Sequence, residues 1–403
     1  MCGGQHLYPF LDLGHTPLAD QFKTLGQLDE MEISYPLKVL MCDDCGLAQL
    51  SHTVSSEVLY QNDYPYESST TKTGKLHWDG LANRVASRFQ LSKKDLVVDI
   101  GSNVGVLLQS FLDRGTRVCG IDPAPNIVEI ANNSGIPTVC NFFGMDAVIK
   151  VVDNHGRASA VTGTNVFAHV HDLNAMVYAT KHLLTDSGVL VIEVPYFRHL
   201  IDRIEYDTIY HEHVSYISVK PLVKFFAIHG MEVFDIEEMS IHGGTIRVFI
   251  SRQGQYEVAA IVQEMLLAEE AMQLHSHATL DSFANSVKQN RDALCAMIAK
   301  IQESGKSIVA VSAPAKGMTL LNYCGLGRQH LDFVTEKARL KIGKFTPGGH
   351  IPVVEDSKLL EKRPDYALLL AWNFADEIIA NLHEFRAGGG KFIVPIPMPQ
   401  VVE

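Results

Sequence analysis

Two short stretches concentrate side chains that can move protons. Asn165-Val-Phe-Ala-His-Val-His-Asp172 puts His169 and His171 two residues apart, and Tyr206-Asp-Thr-Ile-Tyr-His-Glu-His213 ends on a tyrosine, two histidines and a glutamate. With 18 histidines in 403 residues, a lone one would carry little meaning, so the weight lies in the clustering. A His-x-His alternation can be a metal pair on a strand, or plain structure. His-Glu-His, however, lacks the four-residue spacing of a helical zinc hydrolase site. A general base with supporting groups is the reading these residue types favour. Taking a proton from a carbon beside a ketone needs a base of near-neutral pKa and groups that hold the enolate charge. Histidine beside tyrosine, acid and a second histidine supplies both.

Cys42-Asp-Asp-Cys45-Gly46 offers a different chemistry: two thiolates on a tight turn closed by glycine, the form of a zinc knuckle. Structural zinc takes four ligands. Cys2 is the cysteine available upstream, and a full Cys-x-x-Cys pair would put its first member ahead of Met1. Otherwise His6 or His15 completes the set; free thiols in a vestigial knuckle are the remaining reading. Nothing reactive sits beside Cys2, Cys42 and Cys45, so a metal there is expected to be structural.

A third stretch is backbone chemistry. Val98-Asp-Ile-Gly-Ser-Asn-Val-Gly105 follows an apolar strand and opens a helix near Val106. Gly101 and Gly105 let the chain turn tightly and approach a ligand. Asp122 ends the next strand, 21 residues after Gly101, where an acid can accept both hydroxyls of a ribose. The pattern Asp99-x-Gly101-x-Asn103-x-Gly105 is not Gly-x-Gly-x-x-Gly and has no third glycine for a pyrophosphate. It reads as the first motif of a class I S-adenosylmethionine-dependent methyltransferase, against an ordinary strand-to-helix turn or a nicotinamide fold. Asn141-Phe-Phe-Gly144 falls where an adenine is sandwiched, with Phe142 and Phe143 as candidates, one for ligand and one for core. Asn165 is a further expected cofactor contact.

These groups need elements to hold them. An amphipathic helix over Thr73–Phe89 leads into a strand over Leu96–Ile100, and strands over Arg117–Ile121, Ala160–Thr164 and Val189–Val194 alternate with helices over Asn126–Asn133 and Leu173–Leu184. Such alternation indicates a parallel sheet with crossover helices. Residues 257–303 read as helical, with Phe283, Val287, Leu294, Met297 and Ile301 on one face. A second α/β unit begins with Ser307–Ser312 and ends with Lys391–Pro395. At 403 residues, 46% hydrophobic and 20% charged, the composition is globular and two or three domains are expected. We expect a zinc-binding module over 1–65, a methyltransferase core over 66–255, and linker helices with a C-terminal α/β unit over 256–403. The net charge of −12 argues against nucleic acid as a partner. No apolar run reaches membrane-span length, no export segment is evident, and seven cysteines suit a reducing cytoplasm. A monomer or weak homodimer is expected.

Read together, Pro195-Tyr-Phe, Tyr206-Asp-Thr-Ile-Tyr-His-Glu-His213 and His242-Gly-Gly-Thr-Ile-Arg247 resemble the nucleotide-sugar C-methyltransferases that build branched deoxysugars. Thr16-Pro-Leu-Ala-Asp-Gln-Phe22, Ala313-Pro-Ala-Lys-Gly-Met-Thr-Leu-Leu-Asn322 and Phe345-Thr-Pro-Gly-Gly-His-Ile-Pro352 match the same family. The resemblance implies a class I Rossmann-like methyltransferase core, a small N-terminal zinc module and a second, C-terminal Rossmann-like α/β domain. It implies a 4-keto-6-deoxyhexose on a nucleoside diphosphate, methylated at C-3, with S-adenosylmethionine as cofactor and a structural Zn2+. His213 matches the general base. Tyr210, Glu212 and His169 match groups that position substrate or stabilise the enolate, and Tyr64 matches a mobile active-site tyrosine, with Tyr66 nearby. Lys316, Asn322, Tyr196 and Arg247 are expected at the substrate. Lys316, in a glycine-bounded turn after a strand, is the cation for the diphosphate, ahead of Lys337, Arg339, Lys341 and Lys344.

Two positions depart from the family pattern. Val104 stands where the family usually carries Asp, which removes a carboxylate from the methionine end of the cofactor. The first knuckle cysteine is missing. Methylation at C-5, oxygen or nitrogen, or a catalytically impaired sugar-binding homologue, are the alternatives; oxygen transfer needs no carbon acid, so the His213 cluster speaks against it.

Overall fold

The computed structural model describes residues 1–60, 72–239 and 243–403. Three sheets organise them. The first contains β1 (Leu7–Thr16), β2 (Tyr35–Cys42) and β3 (Ala48–Leu50), all antiparallel, and ends on a two-residue strand from far along the chain, β9 (Ser215–Tyr216).

The second sheet contains β4 (Leu96–Ile100), β5 (Arg117–Asp122), β6 (Thr138–Cys140), β7 (Ala158–Thr164), β8 (Leu184–Pro195), β10 (Met231–Met239) and β11 (Thr245–Arg252). Its order is β10-β11-β8-β7-β4-β5-β6, parallel from β6 to β8, with β11 and β10 antiparallel. The expected strands are present, and every residue of β4 is buried, as a parallel strand covered on both faces requires. The chain runs from β4 to β5 on one side and returns to β7 on the other. A crevice therefore opens at the carboxyl ends of β4 and β7, where open α/β sheets hold ligands.

The third sheet repeats the principle. It contains β12 (Ile308–Val311), β13 (Val334–Glu336), β14 (Val353–Glu355), β15 (Tyr366–Leu369), β16 (Lys391–Val394) and β17 (Gln400–Val402), in the order β14-β13-β12-β15-β16-β17. The strands are parallel except β17, which returns antiparallel beyond the expected end at Pro395. The reversal point lies between β12 and β15, and the helix Ala315–Tyr323 that carries Lys316 follows β12 there.

The expected helical stretch is two helices, Ala260–Ala271 and His277–Glu303. Gln273 takes a positive φ of 53° between them, and the Ser276 side chain caps the second helix by accepting from the Thr279 N–H. The long helix buries Phe283, Val287, Leu294, Ile298 and Ile301, with Met297 half-buried beside them. One buried polar group, Asn290, interrupts that apolar face. Its Oδ1 accepts from the Tyr206 hydroxyl at 3.0 Å, and its Nδ2 donates to the Pro395 and Pro397 carbonyls, both at 2.8 Å. No helix among the described residues is long and apolar enough to cross a membrane.

Asn290→Ala would take this partner from the buried Tyr206 hydroxyl and from the Pro395 carbonyl, and buried groups without partners cost about 1–3 kcal/mol. The expected result in urea denaturation is a loss of unfolding free energy of that size. An unchanged midpoint would mean that the seam between helix, core and C-terminal sheet is held by apolar packing alone.

Candidate active site

The cofactor loop closes around a carboxylate. Asp122, at the end of β5, accepts from the Asn103 N–H at 3.0 Å through Oδ2 and from the Ala124 N–H at 3.0 Å through Oδ1. Burial pushes its pKa up against those two bonds. Each oxygen keeps a lone-pair direction for a further donor. The glycines are required by contact as well as by backbone angle. Gly101 has φ 66°, and a β-carbon there would sit 2.5 Å from Val166 Cγ2; at Gly105, φ 85°, it would meet Ile136 at 3.0 Å. Asp99 lies under the loop, fully enclosed, and accepts from the Thr162 hydroxyl of the neighbouring strand at 2.6 Å. Burial raises its pKa to about 7 although that bond opposes the shift. Asn165 follows the end of β7 with φ 57°, its N–H donating to the Glu193 carbonyl at 2.8 Å. Phe143 packs into the core, whereas Phe142 is half-buried outside the core clusters.

Tyr210, His213 and His169 come together. His213 Nδ1 lies 2.7 Å from the Thr208 carbonyl and Nε2 lies 2.8 Å from the Tyr210 hydroxyl. A carbonyl can only accept, so Nδ1 carries the proton; in the neutral ring Nε2 holds the lone pair and accepts from tyrosine. The His169 ring meets His213 edge-on with centroids 4.8 Å apart. Desolvation, then the neighbouring His213, hold His169 well below the ordinary 6.5, so it stays neutral. Glu212 is buried in the same turn.

The segment carrying them is tied on both sides. On the C-terminal side the Trp372 indole donates to Asp207 at 2.6 Å and the Thr319 hydroxyl donates to the Ile209 carbonyl at 2.9 Å. On the N-terminal side His211 is buried edge-on against Tyr35, with ring centroids 5.7 Å apart. These ties escape sequence reasoning because they are tertiary. The Thr208 carbonyl leaves no trace in residue identity at all, whereas Asp207 stood inside the quoted motif.

The expected substrate residues divide. Lys316 donates from Nζ to Asn373 Oδ1 at 2.5 Å and lies 4.2 Å from the centre of the Trp372 ring. Burial lowers its pKa, against the nearby Asp207 and Glu205 carboxyls. Asn322 is half-buried and donates to the Met318 carbonyl at 2.8 Å. Tyr196 and Arg247, in contrast, are enclosed. The Tyr196 hydroxyl is held by Glu269 at 2.9 Å, which also caps the helix Val219–Ile228 through the Val219 and Lys220 N–H groups. Arg247 lies 2.7 Å from Glu193 and 2.9 Å from Glu237. Their polar ends serve the framework rather than an open face. Tyr64, Tyr66 and His242 lie outside the described residues.

The thiols of Cys2, Cys42 and Cys45 all fall within 4.8 Å of one another, and Cys2 and Cys42 are 3.6 Å apart. Tetrahedral zinc with Zn–S of ≈ 2.3 Å separates its sulfurs by about 3.8 Å, so this set fits zinc as three of its ligands. The Gly4 N–H points at the Cys2 sulfur at 3.3 Å, as it does in a knuckle turn. His15 is not the fourth ligand: it pairs with Pro36, at the far end of the hairpin from the Leu7–Cys42 pair. His6 is near, but its Nδ1 is 3.2 Å from Asp44 and it does not join the thiol group. Among the described residues no other His, Cys, Asp or Glu joins them.

Three family profiles match the chain in succession: "Putative zinc binding domain" over residues 1–60, "Methyltransferase domain" over 77–236 and "C-methyltransferase C-terminal domain" over 240–397. The chain is similar from end to end to the C-methyltransferase NovU of Streptomyces niveus, at 36% identity over 405 residues, covering 100% of this chain and 96% of that protein. A ubiquinone biosynthesis O-methyltransferase of Colwellia psychrerythraea is similar at 22% identity over 34% of this chain and 61% of its own. Among solved structures, the PH0226 protein of Pyrococcus horikoshii gives a TM-score of 0.39 at 12% identity, covering 49% of this chain and 100% of that one.

Beneath the crevice Glu193 accepts from His77 at 2.7 Å as well as from Arg247. Burial pushes its carboxyl up, but the bonds and charges of His77 and Arg247 outweigh this and hold it below the ordinary 4.5. A lowered carboxylate contributes stability that is full above its unfolded pKa and is lost as pH falls through the folded value. Breaking such a buried pair costs about 3–5 kcal/mol. The stability gap between wild type and Glu193→Gln should therefore close as pH falls below about 5. Urea unfolding across that range measures it, and a gap indifferent to pH would show that the carboxylate's charge contributes nothing.

Proposed function

The chain belongs to the C-methyltransferases, enzymes dependent on S-adenosylmethionine, and on that premise we propose that its acceptor is C-3 of a nucleoside-diphosphate-linked 4-keto-6-deoxyhexose, activated as an enolate by His213. The observation that carries this reading is the imposed tautomer of His213: Nδ1–H on the Thr208 carbonyl, the lone pair on Nε2. S-adenosylmethionine supplies an electrophilic methyl group and no base. A saturated carbon has no electrons to offer that methyl, so this chain's residues must first remove a proton beside a ketone.

His213 Nε2 takes that proton. In the free enzyme the Tyr210 hydroxyl occupies the lone pair; with substrate bound, the hydroxyl turns to the ketone oxygen and frees the nitrogen. His169 is the poorer base, because burial disfavours its charged form, and serves instead as a neutral N–H donor to the oxyanion. Glu212 orients the turn or a sugar hydroxyl. Tyr64 is the further tyrosine expected at the substrate. The nucleotide lies toward the reversal point of the third sheet, with Lys316 and Asn322 as its contacts. Asp122 holds the cofactor ribose with Asn103, Gly101 and Gly105 shaping the loop, and Phe142 faces the adenine. Cys2, Cys42 and Cys45 hold a structural zinc.

Two measurements test this. Asp122→Ala should weaken S-adenosylmethionine binding in calorimetry by at least about tenfold, since bonds to a charged acceptor contribute roughly 1.5–3 kcal/mol each; unchanged affinity would remove Asp122 from the site. His213→Asn should slow solvent deuterium exchange at the carbon beside the ketone by about 10²–10⁴-fold, while both ligands still bind. Exchange at the wild-type rate would hand the base to another residue.

A further inference from the structure

We infer that the zinc knuckle fixes the position of the His213 turn through a shared strand, so that Cys42, Cys45 and β3 are positioning residues for the base. The inference rests on His213 as that base. The physical path is short. The knuckle ends at Gly46, and β3 begins two residues later at Ala48. The other edge of β3 carries β9, which begins two residues after His213. Ala48 pairs with Tyr216 and Gln49 with Ser215, and the Leu50 N–H donates to the Val214 carbonyl at 3.0 Å. At ≈ 3.3 Å per residue, Cys45 to Ala48 and Tyr216 to His213 are each roughly 10 Å of chain.

A two-residue strand has no stability of its own, so β9 depends on its neighbours: β3 along its length and, one residue beyond it, the Phe197 N–H that donates to the Ile217 carbonyl at 2.8 Å. β3 is itself only three residues long, set against β2 by the knuckle turn. In that turn the Cys42 N–H donates to the Leu47 carbonyl and the Gly46 N–H to the Cys42 carbonyl, both at 2.8 Å. Drawing Cys2 onto Cys42 and Cys45 locks the turn and hence the register handed to β9. The start of the catalytic segment is anchored independently, by Trp372 on Asp207 and Thr319 on Ile209. His213 thus lies between an anchor on helical segments of the C-terminal unit and one on the knuckle. Its Nδ1 reaches the Thr208 carbonyl only while both hold.

The test is amide hydrogen exchange by mass spectrometry on the full-length, reduced protein, before and after zinc is stripped with a chelator and its loss confirmed by elemental analysis. Residues 210–217 are expected to exchange roughly tenfold faster without metal, as a locally opened segment does, while residues 96–122 keep their protection and S-adenosylmethionine affinity is unchanged. Unchanged exchange at 210–217 would overturn the inference, because β2 alone would then hold β3. Faster exchange throughout, 96–122 included, would overturn it too, since the metal would then support the whole fold. So would protein that carries no zinc as purified. None of these readouts passes through methyl transfer, so they separate this inference from the assignment of the base.

Discussion

A 2.7 Å hydrogen bond from His213 Nδ1 to the Thr208 carbonyl decides which nitrogen of the ring is basic, and much of the surrounding architecture serves to keep that carbonyl in place. Backbone carbonyls point where their segment points. The segment from Glu205 to Tyr216 contains little regular structure of its own, a single 3-10 turn and a two-residue strand. Its shape comes from outside: Asn290 on Tyr206, Trp372 on Asp207, Thr319 on Ile209, Tyr35 against His211, β3 against β9. The first sheet, the long linker helix and the C-terminal unit therefore each reach the His213 turn within a few residues.

The two α/β sheets meet this segment with the same geometry. Each reverses strand order next to its first strand, and each opens its crevice at the carboxyl end of that strand. One crevice is lined by a glycine-bearing loop and Asp122; in the other stand Lys316, Trp372 and Asn373. Electrostatically they differ. The first is buttressed by His77, Glu193, Arg247 and Glu237, whose charges answer one another over short contacts. In the second, Lys316 has no carboxylate within ion-pair distance among the described residues, yet lies in the field of Asp207 and Glu205, and burial together with Asp207 lifts Glu205 to about 8.

How legible was this in the sequence? The cofactor loop was, because its chemistry is local: glycines, an acid and a strand fix the turn within a few residues. The knuckle cysteines were legible for the same reason. The clustering of Tyr210, His213 and His169 was readable from residue types and family resemblance, but the bond that sets the tautomer was not, since any residue at 208 offers the same carbonyl. The framework partners of Tyr196 and Arg247 were not readable, because aromatic and cationic side chains in a matched motif look alike whether they meet a ligand or the core. Only the fold reveals Glu269 and Glu193 waiting for them. The break at Met272–Ser276 was invisible to periodicity because apolar residues continue across it; Leu274 stays fully buried while Gln273 turns the chain.

The strand borrowed from residues 215–216 has a consequence for how the molecule is made. A ribosome delivers the first fifty residues early, but their sheet lacks its last strand until residue 216 has emerged. Other partners come later still: Tyr8 waits for Asp281, Asp20 for Lys341 and Glu32 for His350. Domains usually fold one after another as synthesis proceeds, yet here the earliest segment completes its contacts among the last. Until then the outer edge of β3 has no strand beside it, and a bare edge is where a neighbouring chain can pair.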